Sequence, residues 1–156
     1  MLYALVAPLE TKSQTTYTFT NAGATGRLGP TQAQINTAYQ GTNLAGKVTI
    51  NTQGIQEWTV PASGRYYIDA YGAGGGGNYA GGGARMADAF NLQGGEVIKI
   101  VVGQTPTQSW SNANAGGGGT FVVKSPFNTN ESILVIAGGG GGSESATSDR
   151  SLAHAS

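Results

Sequence analysis

Four runs of glycine constrain this chain more than any other feature, because each lies directly before or after a segment with strand-like alternation. The runs are residues 72–77 (interrupted by Ala73), 81–83, 116–119 and 138–142. Glycine loses more backbone entropy on ordering than any other residue, so such runs stay ordered only if neighbouring structure holds them. Without side chains, extended polyproline II segments can approach until their backbones hydrogen-bond to one another. The sequence therefore predicts a bundle of polyproline II (polyglycine II) segments, with flexible linkers as the alternative.

The segments between the runs alternate apolar and polar residues with a period of two, which is typical of half-buried strands. About eight short strands are predicted, over residues 17–20, 48–50, 54–61, 65–71, 84–90, 96–102, 120–124 and 132–137. In segment 65–71 the even-numbered and the odd-numbered residues lie on opposite faces, and one of the two faces is expected to be core. Trp58 is a predicted core residue. Gly94 and Gly95 are expected to form a hairpin turn. Short strands with turn signals at regular intervals favour an all-β sandwich or jelly roll.

One short helix is predicted over residues 31–39, with Pro30 in its first helical position and Gly41 ending it. Its modest apolar face consists of Ala33, Ile35, Ala38 and Tyr39. The chain is therefore expected to divide into an N-terminal lead-in (1–16), one glycine-rich β-sandwich domain (17–142) and a polar C-terminal tail (143–156).

Charge and composition exclude several classes of function. Only 10% of the residues are charged and the formal net charge is zero, so no long-range field favours nucleic acid or an anionic membrane. Cysteine is absent, and the single histidine, His154, lies in the polar tail, so no metal, cofactor or catalytic site is predicted. The apolar stretch before Lys12 is too short to span a bilayer and lacks the basic start of a signal peptide, so no membrane insertion is expected.

Exposed aromatic and amide side chains near the glycine runs are the predicted binding residues. Tyr79 and Asn78 stand between two runs, and Trp110 and Asn112 lie in a polar loop before the third run. Aromatic residues on such loops are typical binding contacts. Packing of these rings over the glycine bundle is the alternative interpretation.

Residues 17–142 resemble, in order, the glycine-rich extracellular region of the anaplastic lymphoma kinase and leukocyte tyrosine kinase family. The resemblance rests on residues 21–43, 54–76, 100–104, 116–124 and 134–141. It implies a jelly roll like that of tumour necrosis factor, joined to a bundle of glycine polyproline II helices. This chain lacks the cysteines of those receptors, and the further glycine runs and closing strand expected after Gly142. These departures favour a bacterial or phage relative.

Two classes of function remain open, and neither is enzymatic. The first is a binding module on a virion or cell surface, such as an adhesin or fibre tip, whose partner is a cell-surface protein or glycan. The second is a structural subunit of a capsid, sheath or filament that binds its own copies. In both, the module is expected to associate with itself, as a trimer or a repeating assembly, because an open sheet edge is usually covered or paired.

Overall fold

The computed structural model describes residues 14–106 and 115–143. In chain order these residues form α1 (Gln32–Ala38), β1 (Val48–Thr52), β2 (Ile55–Thr59), β3 (Gly64–Tyr71), β4 (Arg85–Leu92), β5 (Val97–Val101), β6 (Thr120–Lys124), a 3₁₀ turn (Asn130–Ser132) and β7 (Ile133–Ala137). One sheet has the order β1-β2-β5-β6-β7, and the other pairs β3 with β4; all pairs are antiparallel. This confirms the all-β sandwich with one short helix. The finer tumour-necrosis-factor-like topology stays a prediction.

The core lies between the two sheets and beneath α1. It is built from the inward residues of both sheets, among them Trp58, Val60, Ala70, Leu92, Ile98, Ile100, Val122 and Val135. Trp58 is only 5% exposed, as predicted for a core residue. Ala70 is buried, and Tyr66 and Ile68 pack against the same cluster. The prediction that one face of this segment belongs to the core is therefore confirmed, and the structure identifies it as the face with Tyr66, Ile68 and Ala70.

The start of α1 differs from its prediction by one position. Thr31 is the N-cap, because its side chain accepts the Gln34 N–H while the Gln34 side chain accepts the Thr31 N–H. Pro30 therefore precedes the helix and is buried there, so its predicted place in the first turn is wrong. No helix within the described residues has the length and apolar character needed to cross a bilayer.

The apolar face of α1 is narrower than expected. Ile35 is 2% exposed and the C-cap residue Tyr39 is 3% exposed, and both belong to the core. Ala33 and Ala38 are exposed instead. The helix has only seven residues, so a single row of side chains reaches the core and both alanines face away from it.

Residues 17–20 do not form the predicted strand. Their side chains pack over the core, with the Tyr17 and Phe19 rings 4.9 and 5.8 Å from the ring of Trp58. The last carbonyl of the segment accepts a hydrogen bond of 2.7 Å from Nε2 of the buried Gln56. A side chain, rather than a neighbouring strand, therefore supplies this hydrogen bond, and the alternation reflects packing against one side of the core.

Gly94 and Gly95 do not form a hairpin turn, because the strands on either side belong to different sheets. β4 pairs with β3, whereas β5 pairs with β2 and β6. The Gly95 N–H donates to the Val60 carbonyl at 2.9 Å, and the Gly94 N–H donates to Ser63 Oγ at 2.9 Å. The turn therefore passes from one sheet to the other, a connection that turn residues alone do not distinguish from a hairpin.

The glycine runs lie side by side at one end of the sandwich. Five segments leave or enter the strands at that end, and together we call them the glycine bundle: residues 72–77, 81–84, 103–104, 115–119 and 138–143. Backbone hydrogen bonds of 2.8–3.0 Å join different segments, including Ala73 N to Gly118 O, Gly75 N to Gly81 O, Gly81 N to Gly141 O, Gly117 N to Gly140 O and Gly140 N to Ala73 O. The runs are therefore packed elements and not linkers. The polyproline II geometry of each segment stays a prediction.

Close backbone contacts explain why these segments are glycine. A β-carbon added to Gly140 would collide with the Gly81 carbonyl, and one added to Gly75 would collide with the Gly141 carbonyl. Gly72, Gly83, Gly103, Gly117 and Gly139 face the same kind of collision. By contrast, a β-carbon at Gly138 or Gly82 would meet nothing within 4 Å.

Candidate functional site

The candidate site is the end of the glycine bundle farthest from the sheets, where Asn78 and Tyr79 connect two of its segments. Gly77 begins this turn with φ +102°, a left-handed conformation that side chains disfavour, and its carbonyl accepts the Ala80 N–H at 3.4 Å. The Tyr79 N–H lies 3.3 Å from Ser143 Oγ. The turn is therefore held through its backbone, and this leaves the side chains available for contacts.

The side chains of this turn point to solvent. Tyr79 is 62% exposed and Asn78 is also exposed. Tyr79 is therefore not buried against the bundle, and its part in binding stays a prediction. An exposed phenol ring offers an apolar face together with a hydroxyl that can donate and accept, and the neighbouring amide can do both as well.

Trp110 and Asn112, the other two predicted binding residues, lie outside the described residues. The chain returns to the described structure at Ala115, whose carbonyl accepts a 3.0 Å hydrogen bond from the Gly76 N–H. Ala115 thus lies at the same end of the bundle as Asn78 and Tyr79. The Ser143 N–H donates to the Gly76 carbonyl, also at 3.0 Å, so three segments meet there.

A second exposed cluster lies on the outer face of the β3–β4 sheet and was not among the predicted site residues. Arg85 makes a bidentate ion pair with Asp69: its Nε donates to Oδ1 at 2.9 Å and its Nη2 donates to Oδ2 at 3.0 Å. The Tyr71 hydroxyl donates to the same carboxylate at 3.0 Å, and Tyr67 on this face is 62% exposed. The sequence places Tyr67, Asp69 and Tyr71 on one face. Finding Arg85 requires the strand register that pairs Tyr71 with Arg85.

Electrostatics in this second cluster stabilise the charged pair. The hydrogen bond from Arg85 is the largest cause that lowers the pKa of Asp69, and Tyr71 adds to it. The same carboxylate raises the pKa of Arg85, and its hydrogen bond raises the pKa of the Tyr71 hydroxyl. The two charged groups satisfy each other, so the cluster offers no group that is poised to exchange a proton at neutral pH.

Metal ligands do not gather in the part of the chain that the structure describes: no three acidic or histidine side chains come together there. The predicted tail residue His154 lies outside that part. The geometry at the candidate site therefore consists of exposed aromatic and amide groups on a hydrogen-bonded glycine scaffold.

The fold and the site together define an all-β, glycine-rich module with an exposed aromatic turn. In sequence, it is similar to the leukocyte tyrosine kinase receptor of mouse (Mus musculus), with 38% identity over 110 residues. The match covers 65% of this chain and 12% of the receptor, so the chain corresponds to a small part of that protein. This supports the resemblance found in the sequence, and the expected bacterial or phage origin stays a prediction. No family model matches the chain.

Proposed function

We propose that this chain is a non-enzymatic binding module, displayed on a cell or virion surface, and that it binds through the far end of the glycine bundle. The observation that carries the proposal is Tyr79, a large aromatic side chain 62% exposed to solvent on a turn held by backbone hydrogen bonds. A rigid platform lowers the entropy that a contact residue loses on binding. Aromatic residues on such platforms dominate many interfaces.

The proposed partner is a cell-surface protein or a glycan. The ring of Tyr79 can stack on a sugar or fill an apolar pocket, and the Asn78 amide can donate to and accept from either kind of partner. The module has no net charge, so recognition depends on these short-range contacts and not on attraction at long range. The similarity to a protein named as a receptor supports placement at a surface.

Binding of the labelled full chain to a panel of bacterial and animal cells tests the proposal. Tyr79→Ser is expected to weaken binding at least about tenfold, the loss typical of a central aromatic contact. Tyr67→Ser is the matched control, since Tyr67 is equally exposed but lies on the β3–β4 sheet. Treating the cells with glycosidases or with proteases then separates a glycan from a protein partner. Equal loss in both variants, or no loss in Tyr79→Ser, would reject the bundle end as the contact surface.

A structural subunit is the second proposal, and an apolar area on the outer face of the larger sheet favours it. Phe121 and Ile136 are paired across β6 and β7 and are 42% and 44% exposed. Phe127 is 38% exposed, and the centre of its ring lies 4.4 Å from Nζ of Lys99 on β5 of the same sheet. Exposed apolar patches often mark contacts between chains. Such contacts are proposed to join copies into a trimer or a repeating assembly.

Light scattering distinguishes the two proposals. Spontaneous polymerisation that Phe121→Ser prevents would favour a capsid, sheath or filament subunit. A dispersed particle that still binds cells would favour the binding module. A monomer at all concentrations would rule out self-association through this face.

A further inference from the structure

The two edge strands of the five-stranded sheet, β1 and β7, differ in what their outer backbone groups bond to. At the β1 edge, the side chain of Gln32 replaces a neighbouring strand: Nε2 donates to the Val48 carbonyl at 3.0 Å, and Oε1 accepts the Ile50 N–H at 2.7 Å. At the β7 edge, β6 is the one strand that pairs with β7 among residues 14–106 and 115–143. The residues of β7 include no charge and no proline, two devices that natural proteins use to blunt an exposed edge.

The second sheet is also uncovered beside this edge. β4 contacts β7, and the Ala84 N–H donates to the Gly138 carbonyl at 2.8 Å where the two strands meet. Residues opposite each other in an antiparallel pair share a face. Met86 is opposite the buried Ala70 and therefore faces inward, yet it is 51% exposed.

Asp88 extends the same uncovered face. It lies opposite Ile68, which packs against the core, and it is nevertheless exposed. Phe90 and Leu92, farther along the same side of β4, pack in the core. Only the part of this side that carries Met86 and Asp88 is exposed, and it lies next to a strand edge without a partner among the described residues. The two features together outline an unfilled strand position beside β7.

The geometry points to one kind of occupant. A second copy that paired its own β7 with this one would offer no basic residue of that strand to Asp88. A single extended segment that carries a basic residue avoids this mismatch. It would hydrogen-bond to β7, turn apolar residues toward Met86 and turn a lysine or arginine toward Asp88.

We propose that the β7 edge is a docking site for an extended segment of another protein, which adds a strand to the sheet and pairs a basic residue with Asp88. Backbone hydrogen bonds supply most of the affinity in such strand addition, and alternate side chains supply the specificity. This site lies on the sheets, so it is independent of the proposed contacts of Tyr79.

A synthetic peptide, Thr-Val-Thr-Lys-Thr-Val-Thr, is a direct probe because its pattern reads the same in both directions. At millimolar concentration it should shift the amide signals of β7 and β4 in the isotope-labelled full chain, and slow the hydrogen exchange of β7 amides. Two further versions carry N-methyl groups on alternate residues, at odd or at even positions. One version should lose binding and the other keep it, since only alternate peptide amides face β7.

Reversing the charge tests the recognition of the basic residue. Asp88→Lys should weaken binding of the lysine peptide about fivefold, the effect of one exposed ion pair. The corresponding peptide with glutamate in place of lysine should bind this variant better than it binds the original chain. Absence of any shift in β7, or equal binding of both N-methylated versions, would overturn the proposal. Tyr79→Ser should bind the peptide normally, so failure here is distinguishable from failure of the proposed function.

Discussion

The apolar core and the glycine bundle stabilise the same chain through different parts of the residues. In the core, side chains such as Trp58 and Leu92 pack together and exclude water. In the bundle, the backbones themselves are in contact and their amides bond across segments. Changes in side-chain size therefore have opposite effects on stability in the two regions. Removing atoms destabilises the core, whereas adding atoms destabilises the bundle.

One residue connects the two regions. The Thr120 hydroxyl accepts the Gly103 N–H at 2.9 Å and donates to the Tyr71 carbonyl at 2.7 Å. Thr120 begins β6 and is 6% exposed. Thr120 therefore fixes the point at which β3 and β5, two strands of different sheets, continue into the bundle.

Removing atoms from the core should have the largest effect. Trp58→Ala is expected to lower the free energy of unfolding by about 3–5 kcal/mol, because it leaves a cavity where Tyr17 and Phe19 pack on the ring. Trp58→Phe keeps part of that contact and should cost less. Denaturant unfolding of both variants measures the difference. An alanine variant as stable as the original chain would show that the core is not organised around this ring.

Adding one methyl group to the bundle should have the next largest effect. Gly140→Ala is expected to cost about 1–3 kcal/mol, because its β-carbon collides with the Gly81 carbonyl. Gly118→Ala should cost less, since its β-carbon lies 3.0 Å from the Gln104 nitrogen. Gly138→Ala is the control, with open space around the β-carbon, and should be neutral or slightly stabilising.

Thermal unfolding of the three glycine variants provides the measurement. The order of stability should be Gly138→Ala, then Gly118→Ala, then Gly140→Ala. Equal stability of Gly140→Ala and Gly138→Ala would mean that the segments are not packed backbone to backbone.

Removing the hydrogen bonds of the Thr120 hydroxyl should lower the free energy of unfolding by an intermediate to small amount. Thr120→Val retains the shape but leaves the Gly103 N–H and the Tyr71 carbonyl without this hydroxyl, at a cost of about 1–3 kcal/mol. Thr120→Ser restores the hydroxyl and should recover most of the loss. If serine and valine were equally destabilising, the methyl group rather than the hydrogen bonds would matter.

The smallest effect on stability is expected from the ion pair of Asp69 with Arg85, which lies on the exposed face of β3 and β4, outside the core and the glycine bundle. Because Arg85 lowers the pKa of Asp69 below its ordinary value of 3.8, the pair stabilises the fold above that pH. This contribution is lost as the pH falls through the lower folded-state pKa. An NMR titration of the Asp69 carboxyl should give a midpoint below 3.8, and Arg85→Gln should move it upward. An unchanged midpoint in that variant would contradict the assigned cause.

Local patterns predicted the elements well and their partners poorly. Alternation separated the two faces of β3, because side-chain direction along a strand depends on neighbouring residues in sequence, and the burial of Trp58 was predicted. The choice of the core face of β3 depends on contacts distant in sequence. The turn at Gly94 and Gly95 was misassigned, because strand partners depend on contacts distant in sequence. Residues 17–20 alternate like a strand, yet their last carbonyl bonds to the Gln56 side chain.

The candidate site shows the same limit. The sequence placed Tyr79 between glycine runs and left open whether its ring is exposed, which the structure decides. The ion pair of Arg85 with Asp69 follows from the register of β3 and β4. The packing of the bundle was predictable because runs without side chains have few other ways to become ordered next to strands. The order of its segments depends on the sheet topology, which the sequence alone does not specify.

Hydrogen exchange of individual glycine amides tests the central claim, that the bundle is an ordered scaffold, most directly. The amides of Gly75, Gly81, Gly117 and Gly140 all donate to other segments and should exchange as slowly as amides within β5. In Gly140→Ala, these amides should lose protection before those of β5 do. Exchange of all four at the rate of an unstructured chain, while β5 stays protected, would contradict the account and make the runs linkers.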